Sequence, residues 1–360
     1  MAVRAKDGTC LGTLVEMALP FFREAERQCP RTGPGQKPTI PDWLIAVLIM
    51  IAIMKKKKTK NAQYRYLTEH RAEIGKWLKA EEFPSRSTYY ERYRRAYRLY
   101  KEAIRLQGEK LVDDGIADPT SVAVDKSLLE ARGPKWHKKD RQKGRVPKGL
   151  HGVDTESKWG YSEYHGWVQG YSYEVVVTAT TDGTVCPLLA SVDTASTSEH
   201  TTFGDKIDQL HEDVENVLLD SGYDNNDFGE RIEWSEKGKR TGRRFLCPEN
   251  PRNTKKDKGK RLSQPVAKLT RLQREHRRRR REFLKSRKGR KLYARRGQTV
   301  EPFNDWLKSL FELEHMVWHR GLENNRTQIS AAIFAYQLLL RYNSRCGNHN
   351  GQIKWILDAL

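Results

Sequence analysis

The feature that most constrains the fold of this chain is a change of periodicity at Pro119. Before Pro119, apolar and aromatic residues recur at helical spacing, whereas after it short β-branched runs alternate with helical segments. The clearest runs are Ser121 to Asp125 and Glu215 to Asp220, and each ends in an aspartate. Strands that alternate with helices are typical of an α/β protein. We therefore predict an all-helical domain over residues 1–118 and an α/β domain over residues 119–360.

The α/β domain is predicted to contain a mixed five-stranded sheet flanked by helices. Besides the two runs that end in aspartate, strands are predicted over 171–179, across a turn over 185–192, and over 244–248. Helices are predicted over 201–214, 225–236, 300–313 and 327–342.

The helical domain contains two informative segments. The apolar run Trp43 to Met54 is shorter than the roughly 20 residues that a membrane span needs, so we predict a buried helix and no membrane partner. After Pro84, Ser85 or Ser87 can cap a helix that mixes tyrosine with arginine, as the recognition helix of a helix-turn-helix would. The residues of this helix that would contact DNA are Arg86, Arg92, Arg94 and Arg95. A solvated basic helix with its tyrosines packed inward is the open alternative.

The positive charge of the chain is concentrated in one segment. The formal net charge is +21, and residues 252–296 alone hold 21 basic and 3 acidic residues. We predict that this segment, a basic insertion over 252–292, clamps duplex DNA with a strong dependence on salt. The insertion contains the run Arg277, Arg278, Arg279, Arg280 and Arg281. A solvated, disordered loop is the alternative.

Cysteine and histidine spacing gives no strong metal signal. The five cysteines are widely separated and never form Cys-x-x-Cys, which fits a reducing cytosol, and no secretion signal is recognised. His315 and His319 have the spacing of two zinc ligands on a helix, but neither the His-Glu-x-x-His order nor a nearby third ligand accompanies them. We therefore expect no zinc site there.

Three acidic residues are candidates for catalysis. Asp125 and Asp220 end apolar strands, where a sheet presents side chains to a crevice. Glu301 is predicted to start a helix that has Pro302 in its first turn, with one polar face and one apolar face. The polar face would hold Glu301, Asn304, Asp305 and Lys308, and the apolar face Phe303, Trp306, Leu307, Leu310 and Phe311. Three carboxylates that converge would suit Mg²⁺, which prefers oxygen ligands.

At these residues the chain resembles the DDE transposases of bacterial insertion sequences, a family with an RNase H-like catalytic domain. The similarity spans roughly residues 121–340, and its most specific part is the Tyr-Arg-Glu-Lys signature. The matching pieces are Ala123-Val124-Asp125, Leu218-Leu219-Asp220-Ser221-Gly222-Tyr223-Asp224, and the signature residues Tyr293, Arg296, Glu301 and Lys308.

The resemblance implies a metal-dependent enzyme that cleaves DNA and transfers strands. Asp125, Asp220 and Glu301 would bind two Mg²⁺ or Mn²⁺ ions, while Tyr293, Arg296 and Lys308 would position the DNA backbone. The implied partners are the transposon ends and target DNA, bound by a homodimer or higher oligomer in the cytoplasm at the bacterial nucleoid.

The chain departs from the family pattern at two places. Four residues rather than three separate Arg296 from Glu301, so Arg295 and Arg296 compete for the arginine role. Glu174 stands where a lysine would be more usual. Two alternatives remain open, a metal-dependent nuclease of the same fold and a DNA-binding protein without catalysis.

Overall fold

The structure is a computed structural model that describes residues 9–30, 38–163, 166–180, 184–234, 239–250 and 271–360. The predicted turn at residues 181–183 lies outside the described residues, as does the part of the basic insertion from 252 to 270.

Six helices precede the sheet, namely α1 (Thr9–Gln28), α2 (Asp42–Met54), α3 (Lys60–Glu69), α4 (Arg71–Leu78), α5 (Arg86–Tyr93) and α6 (Tyr97–Asp113). The predicted buried helix is confirmed, since every residue of α2 except Trp43 is buried. Helices α3 and α4 are separated by a break in the chain at His70. None of the described helices combines the length and apolar character needed to cross a bilayer.

The sheet has six strands in the described part of the chain, β1 (Ser121–Glu130), β2 (Lys158–Ser162), β3 (Gly166–Thr178), β4 (Pro187–Thr194), β5 (Asn216–Leu218) and β6 (Arg244–Leu246). Strand β3 pairs antiparallel with β1, β2 and β4, whereas β5 pairs parallel with both β1 and β6. The sheet is therefore mixed, as predicted. The number of strands was wrong, because only Gly160 of β2 is buried and so no apolar run marks this strand.

Short helices connect the strands: α7 (Lys138–Gln142), α8 (Glu199–Gly204) and α9 (Asn226–Glu233). The prediction of one helix over 201–214 was wrong in extent. After α8 the chain makes only a 3₁₀ turn at Ile207–Gln209, next to Lys206, whose ammonium group is drawn into the interior.

Four helices follow the sheet, namely α10 (Arg271–Lys285), α11 (Arg287–Leu310), α12 (Leu322–Arg345) and α13 (Lys354–Asp358). Helix α12 is buried along most of its length and packs against α1, α2, α6 and β4. Its Gln337 amide donates to the Ile104 carbonyl of α6 and to the Pro187 carbonyl of β4. The helical layer and the sheet consequently share one continuous apolar core.

Helix α11 begins earlier than predicted. Ser286 caps it by accepting from the Gly289 amide at 3.0 Å, so Pro302 lies in the interior of the helix rather than in its first turn. The described part of the basic insertion is thus helical, in α10 and in the first residues of α11.

Candidate active site

The register of the sheet brings the two predicted aspartates together. Strands β1 and β5 are parallel, and Ala123 is paired with Leu218. Asp125 and Asp220 each lie two residues further along, so both carboxylates lie where the parallel pairing ends, a place that we call the sheet edge. The prediction that Asp125 ends its strand was wrong, because β1 continues to Glu130 through its pairing with β3. Asp220 also accepts from the Gly222 amide at 2.7 Å and caps the turn Ser221–Tyr223. This capping fixes the direction in which the second carboxylate points.

Helix α11 supplies the partners of these aspartates. The Arg296 guanidinium donates to Asp125 Oδ1 at 2.7 Å and lies 3.6 Å from Asp220 Oδ2. The Asn304 amide donates to Asp125 Oδ2 at 2.8 Å and accepts from the Tyr173 hydroxyl at 2.8 Å. One cation therefore already lies between the two carboxylates, and the orientation of Asp125 is fixed from two sides.

The environment of Asp125 disfavours its negative charge. Burial raises the pKa of Asp125 to about 6, and the nearby Asp220 carboxylate also raises it, while Arg296 acts in the opposite direction. A site in which a buried carboxylate lies beside a second one stabilises added positive charge.

Glu199, at the start of α8, is a further acidic residue of the site that the sequence did not reveal. A Cβ atom placed on Gly222 would lie 2.3 Å from Glu199 Oε2 and 2.9 Å from Asp220 Oδ1, so both carboxylates pack on the same face of this glycine. Burial raises the pKa of Glu199 to about 7, and Asp220 adds to this shift. In the sequence, Glu199 follows the helix cap Ser198 and looks like an ordinary first-turn acid.

Glu301 does not join the two aspartates in this structure. Its side chain is exposed, and its Oε1 atom lies over Gly297 on its own helix. The predicted faces of the helix were partly wrong. Asn304, expected on the polar face, is 8% exposed, and Trp306, expected on the apolar face, is 40% exposed. The face that meets Asp125 is set by Arg296 and Asn304, which both donate hydrogen bonds to its carboxylate.

The other signature residues lie around the aspartates. The Tyr293 hydroxyl donates to the Leu219 carbonyl at 3.0 Å and so holds the residue before Asp220; burial raises the pKa of Tyr293 to about 12. Lys308 is half-buried, and burial lowers its pKa although the Asp305 and Asp125 carboxylates oppose this. The Nε atoms of both Arg295 and Arg296 are buried and have no hydrogen-bond partner among the described residues. Of the two arginines that compete for the family role, Arg296 is the one that contacts both aspartates.

A buried ionic network holds together the elements that carry Asp220 and Glu199. Glu174 and Lys206 are each 1% exposed and are joined by a 2.7 Å ion pair. Glu174 Oε2 also accepts from the Tyr223 hydroxyl at 2.9 Å and from Thr202 on α8 at 2.6 Å. The network thus connects β3 to the turn after Asp220 and to the helix that carries Glu199. Glu174, which departs from the family pattern, has a lysine as its partner within the same chain.

No three His, Cys, Asp or Glu side chains in the described part of the chain are arranged to hold a metal ion. His315 and His319 lie in different environments. His315 is exposed, whereas His319 is buried and its Nε2 atom lies 3.1 Å from the Tyr93 hydroxyl.

Comparison with known protein families decides the affiliation of the chain. A family model described as the transposase DDE domain matches residues 116–338, which include Asp125, Asp220 and Glu301. The chain belongs to this family. A search of curated proteins gave no match, and neither did a search of solved structures.

The basic run of this DDE transposase family member divides into two groups. Arg280 forms a 2.7 Å ion pair with the fully buried Asp224, and Arg277 approaches the same carboxylate at 3.4 Å. These two arginines fasten α10 to the segment that follows Asp220. Arg278, Arg279 and Arg281 are exposed, and the last two pair with Glu275 and Glu249.

The arginines of the predicted recognition helix divide in the same way. Ser85 caps α5, and Tyr89 and Tyr93 pack inward, as the alternative interpretation expected. Arg92 also turns inward, toward the Ile40 carbonyl and Asp42. Arg86, Arg94 and Arg95 remain on the exposed surface of this DDE family member.

Proposed function

We propose that this protein is a DNA transposase that binds transposon ends, cleaves phosphodiester bonds there and joins the freed 3′-OH end to target DNA. The observation that carries this proposal is the parallel register that brings Asp125 and Asp220 together at one sheet edge, in a chain that belongs to the transposase DDE family. Four strands joined by antiparallel pairing, β1 to β4, followed by the two parallel strands β5 and β6 in the same sheet, support an RNase H-like catalytic domain.

Two Mg²⁺ or Mn²⁺ ions would be the cofactors that the family affiliation supports, and the aspartates at this edge offer donor atoms of the type that such ions bind. The aspartates offer hard oxygen ligands, and the placement of Arg296 between them indicates that the edge accommodates positive charge. We assign the ligands as Asp125, Asp220 and Glu301, with Glu301 included on the strength of the family signature. Bound there, the ions would activate the attacking oxygen and stabilise the leaving oxygen.

The residues of the chain itself would orient the DNA and hold the acids in place. Asn304 and Tyr173 fix Asp125, and Tyr293 fixes the end of β5 next to Asp220. Arg296 and Lys308 are cations close to the aspartates, and we assign them to the phosphates that flank the scissile bond. The exposed Arg86, Arg94 and Arg95, together with the exposed arginines of α10, would hold the duplex away from the cleavage site, with residues 1–118 as the end-binding domain. Because two ends must be brought together, the active species would be at least a dimer.

End joining is the experiment that tests this proposal. The protein is first used to map which DNA ends it protects, and a pre-cleaved end with a free 3′-OH is then incubated with plasmid target and Mg²⁺. We expect the end to be covalently joined to the plasmid. Robust hydrolysis without joining would replace the transposase with a nuclease of the same fold. Binding without either reaction would leave only a DNA-binding protein.

A further inference from the structure

A basic cavity lies between the helical layer and the loops at the far end of β1. Its volume is about 500 Å³, and it is bounded by the start of α3, by the loops after β1 and before β2, and by the segment between α11 and α12. Its described lining includes Lys60, Arg132 and Arg320 but no acidic residue. By contrast, the cavity beside Arg277 and Arg280 is lined by two glutamates as well.

The three cations of the basic cavity have no carboxylate partner among the described residues. Lys60 donates to the Asn324 side-chain oxygen at 2.6 Å, and its ammonium lies 4.6 Å from the centre of the Tyr93 ring. Arg132 donates to the Trp318 carbonyl at 2.6 Å. Glu156, on the α12 side, accepts from the Leu322 amide instead of pairing with a cation. Three neighbouring positive charges without an acid favour an anion.

The backbone around the cavity is shaped to keep it open. Gly133 and Gly152 both have positive φ angles, of 109° and 78°, which favour glycine. A Cβ atom on Gly133 would lie 2.4 Å from the Gly152 carbonyl oxygen, and one on Gly152 would lie 3.4 Å from the Arg320 guanidinium. The two loops can therefore approach each other closely while the guanidinium faces the cavity without obstruction.

Electrostatics within the wall agree with this geometry. Burial lowers the pKa of Lys60 to about 8, and the neighbouring Arg94 lowers it further. Burial lowers the pKa of His319, another wall residue, to about 3, and both Lys60 and Arg132 contribute to this shift. The cations thus act on one another and on a shared neighbour, as expected for a site that lacks its counter-charge.

We propose that this cavity binds a backbone phosphate of duplex DNA at a distance from the cleavage site, an inference that rests on the proposed function. Strand β1 connects the two sites, since Arg132 follows Asp125 by seven residues, or about 20 Å of extended chain. At roughly 3.4 Å of rise per base pair, this is about six base pairs along a duplex that follows β1. The cavity would set the register of the DNA relative to the two aspartates.

The test measures how duplex DNA binding depends on salt. The variant Arg132→Gln/Arg320→Gln is compared with the parent and with Arg231→Gln/Arg345→Gln, which removes two exposed arginines that lie outside residues 1–118, α10 and the cavity. The probe is a fluorescein-labelled duplex of mixed sequence, followed by anisotropy. We expect the slope of log affinity against log salt to fall by about one to two in magnitude for the cavity variant, at about 0.9 per lost phosphate contact. The control pair should keep the parent slope.

The single variant Arg320→Gln guards against misfolding, because the Arg320 guanidinium has no ion-pair partner in the described part of the chain, and it should lower the slope by about one. Inorganic phosphate is titrated in parallel, with thermal melting as the readout. An unchanged DNA slope with phosphate stabilisation lost in the cavity variant would assign the cavity to a free phosphate anion and overturn the proposal. No change in either measurement would overturn it as well.

The same measurements separate this inference from the proposed function. Asp125→Asn should keep the parent salt slope while losing cleavage. If the cavity variants lower the slope but the parent protein joins no ends, the cavity is a DNA-binding site and the proposed transposase function is wrong. If the parent joins ends normally but the cavity variants keep the parent slope, the transposase function stands and the proposed role of the cavity is wrong.

Discussion

The cations of this molecule fall into two groups that differ in their partners. Around the sheet edge, Arg296, Arg280 and Lys206 are each matched with a carboxylate within 2.7 Å. In the basic cavity, Lys60, Arg132 and Arg320 have no such match among the described residues. The first group holds the acidic site together, and the second is left for a partner outside the chain. A net charge of +21 is therefore a poor guide to DNA contacts until the internal pairs are removed from it.

The largest effect on stability is expected from an internally paired arginine. Arg280→Met leaves the fully buried Asp224 with a weaker set of partners, so the free energy of unfolding should fall by about 3 kcal/mol or more. Urea denaturation measures it. The matched change Arg278→Met, at an exposed neighbour, should cost less than about 0.5 kcal/mol. An equal decrease in the free energy of unfolding for both variants would contradict the distinction between paired and unpaired arginines in α10.

The role of Glu301 is the next largest effect. Glu301→Gln should lower Mg²⁺-dependent cleavage by more than about a hundredfold, since even the outer partners of a metal site are worth 10 to 100-fold. Asp305→Asn, one turn further along the same exposed side of α11, should change the rate only a few-fold and serves as the control. If both substitutions leave cleavage intact, the third ligand is not on this helix.

Gly222 tests the crowding between Glu199 and Asp220. Gly222→Ala places a methyl group against both carboxylates, so we expect a loss of about 1 to 3 kcal/mol in stability together with slower cleavage. Gly204→Ala is the control, because its Cβ would meet only ordinary contacts at 3.7 Å and beyond. Thermal melting and a cleavage assay on the same samples give both readouts. A neutral Gly222→Ala would show that Glu199 does not crowd Asp220.

The smallest expected effect is a pH dependence at the cavity wall. Because burial holds the pKa of His319 near 3 rather than 6.5, the unfolded chain binds a proton below pH 6.5 that the folded chain rejects. The contribution of neutral His319 to the free energy of unfolding is fully present well above pH 6.5. Between pH 6.5 and about pH 5.5 the free energy of unfolding should fall by roughly 1 kcal/mol. His319→Gln should remove this dependence, whereas the exposed His315→Gln should retain it. Parallel pH profiles for both variants would contradict the shift.

Strand signals in the sequence predicted the sheet edge well, and helix signals predicted the facing helix less well. Asp125 and Asp220 follow apolar runs, and parallel pairing of those runs is enough to bring the two side chains together. The face of α11 that meets the sheet could not be predicted, because it is set by the hydrogen bonds of Arg296 and Asn304 to Asp125, a residue that is distant in the chain.

Burial of charged side chains was also outside the reach of the sequence. Arg277, Arg280 and Arg92 look like DNA contacts in a basic run, but their neighbours in space, Asp224 and Asp42, are distant in the chain. Glu199 was missed for the same reason, since its proximity to Asp220 arises only when α8 packs beside the turn after β5. The family assignment itself was reached from motifs and is confirmed by the match over residues 116–338.

The most direct measurement is single-turnover cleavage by Asp125→Asn and Asp220→Asn at saturating duplex DNA in Mg²⁺, with the DNA affinity of each variant determined by anisotropy. Our account predicts that each variant loses more than about a hundredfold in cleavage rate and keeps the affinity of the parent. Cleavage within a few-fold of the parent by either variant would contradict the assignment of this sheet edge as the active site.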